Sequence, residues 1–534
     1  MSTKTPVMVD GMYVGRMTNE EIDVIKELRE SSVVPVLKNT ILNFPQELVL
    51  RSIEEQRSIR RIAAEEHINI GDYVGELRDY QTVGTAFMYF SKRSMIADGV
   101  GLGKTAEVAA LINLLYNRRE ITRFIIAVES GALVQTQCEL IKMTGLNVIT
   151  LPSEAVKFNR VVPKIDWTKV DGIVIKHTLL RSNAFSKFLA MNIDANGKCR
   201  IFNTFFLDES SCIKNDNTQT YRYTYNICQL ADRVHFMNAT AFETKLLDIY
   251  YQIDMMNDTL LPSKNKITSK YCIWDKGSYW TSKSGKAEEK LKFTIGGYKN
   301  QSQFKDSLKM VYFGRTKKDV GLDRPNIYKV YTVDPTIQQI TAIARYGRYT
   351  EVLNCPSLVP EANIGMNRKE VPKIDRLINI VENEFSDSKV MIYVFHRNAQ
   401  AIIKQELEKI GRKPMILNGE TDQMDKFHIQ TEFNTGECDV LITNIKKSLN
   451  LHGGDVCIFY SLITNPASMF QVAGRIDRNV DDRIKTFILL LYDGTDEYRC
   501  FKDVVAKRSQ YSKELTIDAK TAVDYFMECM EEEE

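Results

Sequence analysis

Asp98-Gly99-Val100-Gly101-Leu102-Gly103-Lys104-Thr105 lies between an apolar run, Met95-Ile96-Ala97, and a helix-forming run, Ala106–Asn117. Glycines at this density let backbone N–H groups turn inward around an anion, and a helix starting directly behind them adds its positive end. In that setting Lys104 would reach the β- and γ-phosphates of a nucleoside triphosphate, and the Thr105 hydroxyl would hold Mg2+. Asp98 stands where the general pattern has glycine, so the match is incomplete at its first position. A strand, a phosphate loop and a helix in succession predict an α/β fold with a parallel sheet.

Outward from this loop the same texture continues. Phe124-Ile125-Ile126-Ala127-Val128, Gly172-Ile173-Val174-Ile175 and Phe205-Phe206-Leu207 are short apolar runs bounded by polar residues. A second series follows in Val390–Val394, Val440–Ile442, Val456–Tyr460 and Phe487–Leu491. Runs of this kind suit strands buried on both faces, with helices between them. Two tandem parallel sheets are therefore expected, at roughly 75–250 and 375–510. Phe205-Phe206-Leu207 ends in Asp208-Glu209, a pair suited to hold Mg2+ (Asp208) and to orient the attacking water (Glu209). Late in the chain, Gln471-Val472-Ala473-Gly474-Arg475-Ile476-Asp477-Arg478 could bring fixed positive charge to a γ-phosphate.

A chain of 534 residues, 44% hydrophobic and 26% charged, fits two or three domains. Its formal charge of +2 means that nucleic-acid binding must come from local patches. No apolar run approaches the ~20 residues of a membrane span, and the first residues lack a signal peptide's apolar stretch, so a soluble, cytosolic chain is expected. The ten cysteines include no Cys-x-x-Cys pair, so neither disulfides nor structural zinc is expected. Residues 1–70 look like an accessory region with a packing role: a hairpin over Val7–Val14 around Asp10-Gly11, a helix from Thr18 to Leu28, and another from Pro45 to about Glu66. Between Leu261 and Val320 lysines outnumber acids and Trp274, Tyr279, Trp280 and Tyr298 are interleaved; its fold is unassigned. The chain closes on the acidic tail Glu531–Glu534.

Leu77-Arg78-Asp79-Tyr80-Gln81, Asp98–Thr105, Asp208–Asn215, Asn238-Ala239-Thr240-Ala241 and Gln471–Arg478 occur in the order seen in helicase superfamily two. Within it the sequence most resembles the Swi/Snf-type DNA translocases, including the shorter phage and bacterial members. Phe313-Gly314-Arg315-Thr316-Lys317-Lys318-Asp319-Val320 resembles that family's segment leading into its second lobe. The resemblance implies two RecA-like lobes, at 71–255 and 331–515, an accessory region at 1–70, a basic insert and linker at 256–330, and a C-terminal helix with the tail at 516–534. It implies an ATP- and Mg2+-dependent ATPase acting on DNA without sequence preference, monomeric in isolation, in replication, recombination or repair. By it Gln81 reads the adenine beside Arg78 and Tyr80, while Asp98 through Ala106 wrap the phosphates. Thr240 couples hydrolysis to DNA, and Arg475 and Arg478 act as arginine fingers.

Strand ends of both sheets supply candidates for a phosphate-backbone track: Ser130, Gln135, Lys176 and His177 in the first, and His396, Arg397, Asn398, Thr443, Lys446 and Lys447 in the second. Two departures stand out. The family's Asp-Glu-Ala-His is Asp208-Glu209-Ser210-Ser211 here, and a usually glycine-rich phrase is Asn444-Ile445-Lys446-Lys447-Ser448-Leu449. The 261–310 insert sits where the family carries helical protrusions, and either contacts DNA or is a solvated basic segment. Two rival functions stay open: a strand-separating or branch-migrating helicase, and a nucleotide-holding scaffold without turnover.

Overall fold

The computed structural model describes residues 5–9, 12–17, 77–239, 246–256, 260–283, 286–308, 311–365, 367–446, 449–478, 483–506, 509 and 522–532. The expected N-terminal hairpin is present as β1 (Thr5–Val9) against β2 (Met12–Met17). The helices expected over 18–28 and 45–66 lie outside the described residues. The chain divides into two compact units, with the break between Thr316 and Lys317.

The first unit is built on a seven-stranded sheet in the order β11-β3-β8-β7-β4-β6-β5, parallel at every pairing. Its strands are β3 (Arg93–Ile96), β4 (Phe124–Val128), β5 (Val148–Thr150), β6 (Gly172–Lys176), β7 (Thr204–Asp208), β8 (Arg233–Met237) and β11 (Tyr312–Phe313). Phe124 and Phe206 meet edge to face at 6.4 Å in the core, and Gly172 is required opposite Phe124 because that ring fills the space a Cβ would take. Helices α1 (Asp79–Ser91), α2 (Lys104–Asn117) and α3 (Leu133–Thr144) flank the sheet; α2 is buried almost throughout its apolar length.

The second unit carries six parallel strands in the order β12-β17-β16-β13-β15-β14. They are β12 (Ile327–Val333), β13 (Val390–Tyr393), β14 (Pro414–Leu417), β15 (Val440–Thr443), β16 (Val456–Phe459) and β17 (Thr486–Tyr492). Both units are thus RecA-like α/β lobes, and each apolar run singled out in the sequence is a strand. Because all strands of a sheet run one way, the residues after their C-terminal ends collect along a single edge, where such folds bind ligands.

The basic insert is not a helical protrusion. After a short helix, Lys264–Tyr271, the chain forms a long antiparallel pair, β9 (Cys272–Lys283) and β10 (Lys286–Tyr298), hydrogen-bonded to no other described strand. A helix over Gln301–Leu308 follows. The pair is rooted in the first unit: Tyr271 meets Phe304 at 5.1 Å, and the Tyr298 hydroxyl accepts from the Leu246 N–H at 3.0 Å.

Candidate functional site

Gly101 and Gly103 adopt φ of 88° and 83°, a left-handed course that L side chains rarely take, and so aim successive N–H groups into the loop. Lys104 opens α2, and its Nζ donates to the Asp98 carbonyl at 2.8 Å and the Gly99 carbonyl at 3.5 Å. Burial pushes the Lys104 pKa down, against the pull of Asp98, Glu209 and Asp208. Thr105 is half-buried at the second position of α2, while Val100, Leu102 and Ala106 are buried. The Tyr80 hydroxyl and Gln81 Nε2 both donate to the Leu102 carbonyl at 3.0 Å, and Gln81 Oε1 accepts from the Arg78 N–H at 3.0 Å. The α1 residues assigned to the adenine are therefore tied directly to the phosphate loop.

The mismatch at Asp98 has a structural cause. Its carboxylate is fully buried and accepts from the Arg315 backbone N–H at 3.0 Å and from Nε at 3.1 Å, with Nη2 closing on the other oxygen. Arg315 also reaches Glu107 Oε1 at 2.5 Å and the Tyr80 carbonyl, and lies 5.2 Å over the Tyr80 ring. The Arg315 carbonyl accepts from the Gly99 N–H at 2.8 Å. Burial opposes the Arg315 charge, but Asp98 and Glu107 outweigh it and hold the guanidinium firmly protonated. Glu107 is pushed well above the usual carboxylate range by burial and then by Asp98.

Asp208 ends β7 at the same sheet edge, and burial followed by the Glu209 charge pushes its pKa up to about 7, with Lys104 opposing. Glu209 sits at φ 50°, ψ 55°, a left-handed conformation costly for a residue with a Cβ and characteristic of functional positions. Two adjacent carboxylates at a strand end, in one sheet with a lysine and threonine that open a helix behind a glycine loop, fit a divalent cation; Asp208 and Thr105 are the residues that would hold Mg2+. The Ser210 hydroxyl donates to Gln252 Oε1 at 2.6 Å, so a side-chain pair anchors the turn after the acids. His177, one of the candidates for the nucleic-acid track, has its Nε2 2.8 Å from the Asp208 carbonyl.

In the second unit Arg475 is buried, its Nε donating to the Gln471 carbonyl at 3.0 Å and Nη1 to the Leu449 carbonyl at 3.1 Å. Arg478 Nη2 reaches the same Leu449 carbonyl at 3.0 Å, so the two guanidiniums converge within their own unit. Of the proposed track, Ser130 lies in the turn after β4, Gln135 donates to Glu139 at 2.8 Å, and Lys176 ends β6. His396 precedes the helix Arg397–Lys409, its pKa lowered by burial. Arg397 is paired with Glu420, and Asn398 is exposed. Thr443 is wholly buried, its hydroxyl accepting from the Ile445 N–H at 3.0 Å, a geometry that turns it inward. Lys446 follows β15; Thr240 and Lys447 lie outside the described residues.

Sequence comparison bears on these lobes. Residues 372–480, which span Gln471–Arg478, match the helicase conserved C-terminal domain. The SWI/SNF-related matrix-associated actin-dependent regulator of chromatin subfamily A-like protein 1 of Xenopus laevis is 22% identical over 429 residues, 76% of this chain and 40% of that protein. The Bos taurus protein of the same name is 22% identical over 425 residues, 76% and 41%. Residues 372–480 are thus helicase-like, and the chain is similar to proteins of the Swi/Snf type. It spans about two fifths of the length of these curated relatives. Among solved structures, the Sulfolobus solfataricus SWI2/SNF2 ATPase core in complex with dsDNA is 18% identical, covering 83% of this chain and 93% of that one, with a TM-score of 0.39. The core domain alone gives 17%, 85%, 92% and 0.38.

The pairing of Arg315 with Asp98 is what sequence reasoning missed. The signal for Arg315 was the carboxylate at Asp98, which in a phosphate loop needs a counter-charge.

Proposed function

We propose that this Swi/Snf-type chain is a DNA-dependent ATPase that uses Mg-ATP to move along DNA. The observation that carries the reading is the first unit's half-site, in which Lys104 opens α2 directly behind the positive-φ Gly101 and Gly103 while Asp208 and Glu209 close β7 of the same parallel sheet. The Mg2+ held by Thr105 and Asp208 would offset charge on the phosphates. Lys104 holds the γ-phosphoryl group, and Glu209 orients a water for in-line attack and draws off its proton as the bond to ADP breaks. Arg475 and Arg478 leave the Leu449 carbonyl to meet the charge on the transferring group, so lobe closure completes the site. Alternating closure and release moves the two lobes' grips on the phosphate backbone past each other, a motion indifferent to sequence.

Lys104→Ala or Arg475→Ala should abolish DNA-stimulated ATP hydrolysis while sparing DNA binding in a filter or anisotropy assay; full turnover in either variant rejects the site. A second reading, action at forks or branched junctions, is favoured by the β9–β10 pair, whose register sets Lys286 against Lys283 and Lys290 against Tyr279. Comparing ATPase stimulation by duplex, single strand, fork and four-way junction separates the two. Absence of turnover with all of them would leave a nucleotide-holding scaffold.

A further inference from the structure

The chain passes from the first unit to the second through Gly314-Arg315-Thr316-Lys317. Its two cationic residues are each fixed beside one half of the proposed reaction. Arg315 is bound to Asp98 through side chain and backbone, and the Asp98 carbonyl is the partner of Lys104. Asp98 is therefore shared between the phosphate-binding lysine and the exit segment. Lys317 Nζ, in turn, lies 2.6 Å from Asp477 Oδ2 and donates to the Asp477 carbonyl at 2.9 Å. Asp477 stands between Arg475 and Arg478. The same turn is braced by Asn326 Nδ2, which donates to Asp477 Oδ2 at 3.3 Å, and by Arg324 Nη1, which donates to the Arg478 carbonyl at 3.3 Å.

A passive linker calls for none of this; connections between domains are ordinarily exposed and make few fixed contacts. Buried ion clusters are poor stabilisers, because desolvation cancels much of the attraction, but they fix geometry well. Only two peptide units separate Arg315 from Lys317, at most ~7 Å of chain.

We propose that residues 314–317 form a positioning strap that joins the phosphate loop to the arginine-bearing turn, with Arg315 and Lys317 as its two fastenings. The strap rests on the function proposed above and adds to it the route by which one half-site registers the other. On nucleotide binding Lys104 gives up the Asp98 and Gly99 carbonyls for phosphate oxygens, and Asp98 shifts with its hydrogen bonds. Arg315 follows Asp98, and a chain with no slack draws Lys317, Asp477 and the flanking arginines with it.

The test lengthens the strap without touching either fastening, by inserting two glycines between Thr316 and Lys317. Three quantities are read: affinity for a non-hydrolysable ATP analogue, hydrogen exchange at the Gly474–Arg478 amides with and without the analogue, and DNA-stimulated kcat and KM. The insertion should leave the analogue's Kd within about twofold, remove the analogue-induced exchange protection, and lower kcat at least about tenfold at unchanged KM. Lys317→Ala should do the same and Lys317→Arg should restore most of it. Wild-type protection and kcat in the insertion variant overturn the strap. So does a Lys317→Ala defect that Lys317→Arg shares and that follows the second unit's unfolding temperature, since that marks packing alone. A native chain that binds the analogue with protection but never turns over refutes the motor and leaves the strap to the exchange data. A native chain that does not bind the analogue overturns both.

Discussion

Replacing Asp98 by glycine would bring the phosphate loop closer to the general pattern, and the structure predicts that it damages the protein. Asp98 is fully buried and receives three bonds from Arg315, one from the backbone and two from the guanidinium. Removing one partner of a buried ion pair costs about 3–5 kcal/mol when the other is stranded. Here Glu107 still holds Arg315 at 2.5 Å, which places the loss near the lower end, about 3 kcal/mol. Glycine's added freedom in the unfolded chain contributes a further ~0.5–1 kcal/mol. Asp98→Gly should therefore destabilise the first unit by roughly 3–4 kcal/mol. All three tryptophans, Trp167, Trp274 and Trp280, belong to that unit, so tryptophan emission in a urea titration follows its unfolding apart from the second. Trp167 stacks on Phe188 at 5.6 Å and should respond strongly to loss of packing. A midpoint unchanged within error, with nucleotide affinity equal or improved, would refute the claim that Asp98 and Arg315 form a structural pair.

Three more expectations follow from particular residues. His235 is fully buried with Nδ1 2.9 Å from Ser94 Oγ, and burial, then Arg233 and Arg93, hold its pKa well below 6.5. Below about pH 6.5 the unfolded chain takes up a proton that the fold refuses, so stability of the first unit should fall by up to ~1.4 kcal/mol per pH unit on acidification, and His235→Gln should flatten that slope; parallel profiles for the two proteins would count against it. Gly172→Ala forces a methyl into the Phe124 ring and should cost about 2 kcal/mol, part of it recovered by adding Phe124→Leu; a neutral result removes the steric account. Neutralising Lys276, Lys283 and Lys286 together should weaken DNA binding and reduce the salt dependence of log K by up to ~2.7, and an unaltered slope makes the β9–β10 pair a bystander.

The buried strands were legible because a parallel sheet covered on both faces demands near-continuous apolar runs, which is what Phe124–Val128 and Thr486–Tyr492 supply. The strands that escaped notice break that rule for identifiable reasons. β8 begins with Arg233 and contains His235, polar residues tolerated because Arg233 donates to the Tyr89 carbonyl at 2.7 Å and His235 meets Ser94. β14 begins with Pro414, which an edge position permits, and β12 alternates apolar with polar residues because it too lies at an edge. The β9–β10 pair hides behind lysines, acids and Gly296-Gly297, where a bulge shifts the register. No single strand of it carries a periodic apolar signal, and only pairing makes it a structure.

Within the site, what could be read was what is local. Glycine spacing, a lysine at a helix start and two acids after an apolar strand are patterns a few residues long. The partner of Asp98, by contrast, lies 217 residues further along, and nothing in either neighbourhood announces the other. A departure from a pattern is nonetheless information when its physical cost is counted. A carboxylate at the mouth of a phosphate loop repels the ligand that the loop exists to hold, so a chain that keeps one there must neutralise it from elsewhere. Of the cations in the first unit, the one that does so sits at the unit's end, two residues before a lysine that holds Asp477. Had neutralisation been the whole requirement, any buried arginine of the sheet would have served. Placing it on the exit segment makes the charge balance of the phosphate loop depend on the stretch of chain leading to the second unit, which carries the arginine-bearing turn.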